Sequence, residues 1–173
     1  IEDIENAEKL ILPGVGAFDQ GIKNIRELNL IDVLNEKVIA KNTPILGICL
    51  GFQLLTANSE EGKLNGLGWI DASTKRFDFV NQDKEIKVPH MGWNNVDYNP
   101  LSTLFMDWQG EARFYFVHSY HVVCNSKEIV TSECFYGSKF TASIQKNNIH
   151  GAQFHPEKSH KYGMQLLRNF LAS

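Results

Sequence analysis

The segment Ile45-Leu46-Gly47-Ile48-Cys49-Leu50-Gly51 constrains this chain more than any other. A short apolar run leads into a cysteine with a glycine two positions to either side. Small residues at those positions let a backbone turn sharply from a strand into a helix, which is the strand–nucleophile–helix elbow with sulfur in place of a serine oxygen. A thiol there sits at a helix N-terminus, where unpaired N–H groups and the helix dipole favour the thiolate, the form that attacks. Alone, the pattern fits packing as well as chemistry, because a buried cysteine between glycines is common in cores. A second segment is needed.

Gln153-Phe154-His155-Pro156-Glu157 supplies it. Ile149 to Phe154 reads as a short strand ending at His155. A nucleophilic cysteine needs a general base, and the base needs a third group to fix its tautomer. Pro156 pins the backbone between His155 and Glu157, so imidazole and carboxylate can lie side by side. An isolated His-Pro-Glu would be an ordinary surface sequence; beside the cysteine elbow it reads as catalytic.

The pattern along the chain sets the fold class. Leu10-Ile11-Leu12 is a short buried strand ending in Pro13-Gly14-Val15-Gly16. Leu30 to Ile39 carries a helical apolar stripe closed before Thr43-Pro44. Ile45 to Ile48 is the next strand and Leu50 to Ala57 the helix after it. Strand–helix alternation with short connections implies parallel pairing with right-handed crossovers. The middle differs: Gly68 to Phe79, Ile86 to Val88, Asn94 to Val96, Arg113 to Val117, His121 to Cys124, Ile129 to Ser132 and Phe140 to Gln145 read as strands between turns. An amphipathic helix closes the chain, Tyr162 to Leu171, with Leu166, Leu167, Phe170 and Leu171 inward. The expected fold is α/β, flavodoxin-like and doubly wound, a mostly parallel sheet with an added antiparallel strand layer. Reactive groups in such sheets gather at the carboxyl ends of strands, so Pro13–Gly16, Cys49 and His155 are expected on one edge.

Composition narrows the function. The 173 residues make one domain with a sizeable core. Net charge is −3, from 17 basic and 20 acidic side chains, with no basic cluster, which argues against binding to nucleic acid. Three cysteines, Cys49, Cys124 and Cys134, without CxxC spacing argue against a disulfide scaffold or zinc ribbon and for a reducing compartment, the cytoplasm by default. His155 and His160 lack zinc spacing, and no metal or cofactor is expected. No run reaches membrane-spanning length. The polar start, Ile1 to Ala7, stands directly before a strand that reads as interior, so a strand–helix–strand unit of roughly 30 or more residues is expected to be missing ahead of it.

Together these residues resemble a known family. Gly47-Ile48-Cys49-Leu50-Gly51-Phe52-Gln53, Phe154-His155-Pro156-Glu157 and Pro13-Gly14-Val15-Gly16 are similar to the three signatures of class I (triad) glutamine amidotransferases. Val88-Pro89-His90-Met91-Gly92-Trp93-Asn94, Tyr115-Phe116-Val117-His118-Ser119-Tyr120 and Glu157-Lys158-Ser159 resemble the glutaminase subunit of imidazole glycerol phosphate synthase. The similarity runs almost end to end; only the family's initial strand and Gly-Asn loop are absent.

The resemblance implies a catalytic Cys49, His155 and Glu157, and hydrolysis of glutamine through a cysteine thioester. The N–H after the nucleophile, that of Leu50, would stabilise the oxyanion; the peptide at Val15 would supply the second donor by resemblance, flipping on its flanking glycines. Gly16, Gln53, Ser119 and Tyr120 would hold the substrate. His90, Met91, Trp93, Tyr115 and Lys158 would face a (β/α)₈-barrel synthase subunit as a heterodimer, passing ammonia into histidine biosynthesis, although a core Trp93 is the competing reading. Two alternatives stay open: ammonia supply to another synthetase, as in sugar amidination, and a non-enzymatic regulatory partner.

Overall fold

The computed structural model describes residues 1–79 and 86–173. Among these residues a seven-stranded sheet forms the centre, in the order β1-β2-β10-β9-β8-β5-β6. Strands β1 (Leu10–Leu12), β2 (Ile45–Ile48) and β10 (Ile149–Ala152) run parallel. The sheet then continues antiparallel through β9 (Ser138–Lys146), β8 (Val130–Tyr136), β5 (His90–Tyr98) and β6 (Arg113–His118). It is therefore mixed rather than mostly parallel, with two parallel pairings of six. A smaller sheet joins β3 (Asn58–Ser59), β4 (Ala72–Arg76) and β7 (Tyr120–Cys124). The α/β architecture expected from the sequence is present, but its antiparallel strands divide between an extension of the central sheet and this second sheet.

Burial explains the arrangement. β2 and β10 are buried at every position, as strands covered on both faces must be. Helix α1 (Glu2–Asn6) precedes β1, and α2 (Phe18–Glu27), α3 (Ile31–Asn35) and α4 (Leu50–Leu54) follow it. On one face, Ile45 and Ile149 pack with Phe18, Ile22 and Ile25 of α2 and with Phe52 of α4. On the other, Leu46, Ile48 and Ala152 pack with Leu166 and Phe170 of the C-terminal helix, His160–Ala172. Fully burying each of these Leu, Ile and Phe side chains stabilises by roughly 1.5–3 kcal/mol.

Several local expectations shift. The stripe from Leu30 to Ile39 splits into an α-helical turn, Ile31–Asn35, and a π-helical one, Glu36–Ala40, leaving Ile39 half exposed. The helix after the elbow stops at Leu54, and Ile86 to Val88 is not a strand. Leu171 faces outward at 61% exposure, because the inner face of the last helix is already filled by Leu166 and Phe170. Leu10–Leu12 lies at the edge of the described sheet, paired with β2 alone. No helix among the described residues is long and apolar enough to cross a membrane.

Candidate active site

The elbow forms where β2 meets α4. Cys49 adopts φ 52°, ψ −108°, a left-handed conformation that costs a non-glycine residue roughly 1–3 kcal/mol and persists only when its surroundings enforce it. They do so here. The Cys49 N–H donates to the Ala152 carbonyl of β10 at 2.8 Å. A side chain at Gly51 would place its Cβ 1.8 Å from the Leu12 carbonyl oxygen, and one at Gly47 would lie 2.8 Å from the Phe52 backbone. Glycine at both positions is what lets β1, β2 and α4 close around the cysteine.

His155 follows β10 and is 2% exposed. Its N–H donates to Tyr115 O at 2.9 Å, and its carbonyl accepts from Ser159 Oγ at 2.6 Å. The next residues form a single 3₁₀ turn, Pro156–Lys158, which brings Glu157 Oε1 to 2.6 Å from His155 Nδ1. The carboxylate accepts, so Nδ1 carries the proton. Nε2 is then the basic nitrogen, and it is buried without a hydrogen-bond partner among the described residues.

One cavity of about 380 Å³ brings the parts together: Cys49, His155, Val15, Gly16, Leu50 and Gln53 all line it, with Ser119, Tyr120 and Lys158 on its wall. All three sequence segments thus converge on one sheet edge, as the strand ends required. Glu157 stands outside the lining, behind the histidine.

Burial pushes the Cys49 thiol up to about 11, and the Leu50 N–H opposes this only in part. This differs from the thiolate expected at a helix N-terminus. α4 spans five residues, and desolvation outweighs the donor at its start. Gln153 Nε2 approaches the sulfur at 3.8 Å. The resting sulfur is a thiol, and a base must take its proton.

Gln53 is buried rather than solvated. Its amide nitrogen donates to Tyr120 O at 3.0 Å and Gln153 Oε1 at 3.2 Å. Both N–H groups are engaged, so its carbonyl oxygen is the group left for a ligand. No expectation from the sequence covered Glu61, the one acidic side chain on the cavity wall among the described residues, whose Oε2 also accepts from Phe18 N at 2.8 Å. None assigned a role to Gln153 or His118 either. No motif singles out Glu61; only the folded loop carries it to the cavity.

The stretch from Pro89 to Asn94 alternates as β5 dictates. Met91 is 62% exposed and Trp93 37%, whereas His90 is buried. His90 stacks on Tyr136 and Phe116 with ring centroids 4.0 and 4.7 Å apart. The expectation that His90 faces a partner is thereby corrected: the period of two in a strand turns it inward. Tyr115 meets Trp93 edge-on, His160 stacks on Trp93, and the exposed Lys158 lies over the Tyr115 ring. Among the described residues no cluster of three or more His, Cys, Asp and Glu side chains is placed to hold a metal ion.

Comparison with known proteins agrees with this geometry. The profile of the family described as glutamine amidotransferase class-I matches residues 2–173. The imidazole glycerol phosphate synthase subunit HisH 2 of Methanococcus maripaludis is 52% identical over 170 residues, covering 98% of this chain and 83% of that protein. Its namesake from Pseudomonas aeruginosa is 51% identical over 170 residues, with the same coverage. A crystal structure of a glutamine amidotransferase superposes with a TM-score of 0.70 at 19% identity, covering 99% of this chain and 81% of that one, which supports the fold. A cysteine elbow, a carboxylate-backed histidine and a shared cavity, with these relatives, place the chain in the class I glutamine amidotransferase family, alongside the HisH subunits of imidazole glycerol phosphate synthase.

Proposed function

We propose that this chain hydrolyses the side-chain amide of glutamine and delivers the ammonia to a synthase subunit making imidazole glycerol phosphate in histidine biosynthesis, in the cytoplasm. The observation that carries this reading is the buried His155 Nε2, unpartnered among the described residues, on the same cavity as Cys49, with Nδ1 held by Glu157.

The mechanism follows from the groups present. His155 Nε2 takes the Cys49 proton as Sγ attacks the amide carbon, and the C–O π electrons move onto oxygen. The Leu50 N–H stabilises that oxyanion, with the Val15 peptide as second donor; each such donor is worth about 2.7–4 kcal/mol. Collapse breaks the C–N bond, and the imidazolium returns its proton to the leaving ammonia. Water, deprotonated by His155, attacks the thioester carbon and releases glutamate with the free thiol. Glu157 holds the imidazole in the correct tautomer throughout. Gln53 accepts from the substrate, Glu61 complements its ammonium group, and Gly16, Ser119 and Tyr120 offer main-chain contacts.

The partner is a (β/α)₈-barrel subunit in a heterodimer, docked on the exposed Met91, Trp93 and Lys158 and the half-buried Tyr115. Aromatic residues beside cationic ones on a sheet face suit an interface. Lys158 touches both this patch and the cavity, so the ammonia route opens where the barrel sits. Replacing Cys49 by alanine in the complex is expected to abolish glutamine-dependent product formation and preserve formation from added ammonium. Loss of both would remove the ammonia-supplying role.

A further inference from the structure

A continuous line of hydrogen bonds runs from β5 to the nucleophile through two histidines that the mechanism does not use. His118 Nδ1 lies 2.8 Å from Tyr120 O, and a carbonyl can only accept, so Nδ1 bears the hydrogen. His118 Nε2 is 3.2 Å from His90 Nδ1. Burial holds both imidazoles neutral, His90 down to about 4 and His118 to about 3. With one proton per ring, His118 Nε2 accepts and His90 Nδ1 donates. His90 Nε2 then accepts from Asn94 Nδ2 at 3.4 Å. Beyond His118, the Tyr120 carbonyl also receives Gln53 Nε2, Gln53 meets Gln153, and Gln153 reaches Cys49 Sγ.

We propose that His90 and His118 are positioning residues that fix the Tyr120 carbonyl, and through it Gln53, on the glutamine cavity. His90 does so from β5, the strand whose other face exposes Met91 and Trp93, and His118 from the paired end of β6. The inference rests on the glutaminase reading above and names how β5 is connected to that site. The physical logic is directional. Each ring has its single hydrogen assigned by its neighbour, so removing the His90 donor frees His118 to rotate or change tautomer. Tyr120 O then loses one of two donors, and the Gln53 amide loses its fixed orientation. Because the bonds of His90 and His118 orient a substrate-contacting group and themselves touch no reacting atom, their loss falls on glutamine binding.

Two replacements of His90 separate this role from packing. His90→Phe keeps a ring against Tyr136 and Phe116 but has no donor. His90→Asn gives up the ring and restores an N–H near the Nδ1 position. The expected result is a KM for glutamine raised roughly five- to tenfold in His90→Phe, the loss of about one hydrogen bond, with kcat within about twofold. His90→Asn returns KM to within about twofold of wild type despite its poorer packing. An unchanged KM in His90→Phe overturns the proposal, as does His90→Asn being impaired at least as much. If His90→Phe does not fold, nitrogen NMR of the wild-type imidazoles decides: a hydrogen on Nδ1 of both rings and bare Nε2 is expected, and an Nε2–H on either contradicts the relay. Wild-type protein that turns over no glutamine would instead refute the glutaminase reading, and the tautomers would still test the relay.

Discussion

His155 Nδ1 donates to Glu157 Oε1 at 2.6 Å, while the opposite nitrogen of the same buried ring has no partner among the described residues. The pairing decides which nitrogen is basic. In Glu157→Gln the amide can present either oxygen or nitrogen, so the correct tautomer is no longer enforced. The Glu157 side chain is 52% exposed, and water substitutes in part for what is lost. The expected fall in kcat for glutamine hydrolysis is about 10²-fold, the low end of a general acid–base contribution. Steady-state kinetics checks it; an unaltered kcat would assign Glu157 a surface role.

Cys49 should react as a thiol that must be deprotonated on demand. With its acidity weakened to about 11 by burial, the thiolate fraction is small at neutral pH and grows about tenfold per pH unit. Iodoacetamide alkylation of Cys49 in the ligand-free protein, followed by peptide mass spectrometry, is expected to accelerate in that proportion from pH 6 to pH 8. A rate flat across this window would mean a preformed thiolate–imidazolium pair.

The Val15 loop offers a test without touching a side chain of the triad. Gly16 has φ +98°, and beyond its two chain neighbours no atom of the described residues lies within 4 Å of a Cβ built there, so Gly16→Ala meets conformational strain and no clash. Val15 beside it is 80% exposed, and the loop, not the core, absorbs the strain. Glutaminase kcat is expected to fall about tenfold, equivalent to ~1.4 kcal/mol of barrier, with melting temperature little changed. An undiminished kcat would remove this loop from oxyanion stabilisation.

Stability should fall on the acid side for a traceable reason. Burial lowers His90 to about 4, His118 to about 3 and His150 to about 4. Between an unfolded value near 6.5 and those folded values, the unfolded chain binds protons that the folded chain refuses. The slope of stability with pH is then positive: these groups cost nothing above pH 6.5 and progressively favour unfolding as pH drops. Each adds about 1.4 kcal/mol per pH unit once its unfolded form is protonated. The urea midpoint is expected to drop clearly from pH 7 to pH 5, and a midpoint constant over that range would contradict the burial of these rings.

The elbow is legible in the sequence because its geometry depends on absent side chains: Gly47 and Gly51 stand in plain view, and nothing else fits between Leu12 and Phe52. His155 and Glu157 are legible because only a short turn separates them. The state of Cys49 is not, since its thiol is governed by desolvation from residues distant in sequence. The same holds for Glu61, which reaches the cavity through a loop without a signature, and for His90, whose inward turn depends on the phase of β5. Helix ends shift for a related reason. Tertiary packing of Leu34, Val38 and Leu54, not local propensity, sets where α3 (Ile31–Asn35) and α4 stop.

The central claim is that Cys49 Sγ bonds covalently to the glutamine carbonyl carbon with His155 as base. Acid-quenched protein taken during turnover of glutamine tests it directly by peptide mapping. A glutamyl thioester confined to the Cys49 peptide, accumulating in wild type and absent from His155→Ala, is expected. Turnover with no adduct on Cys49, or an adduct on Cys124 or Cys134, would contradict it.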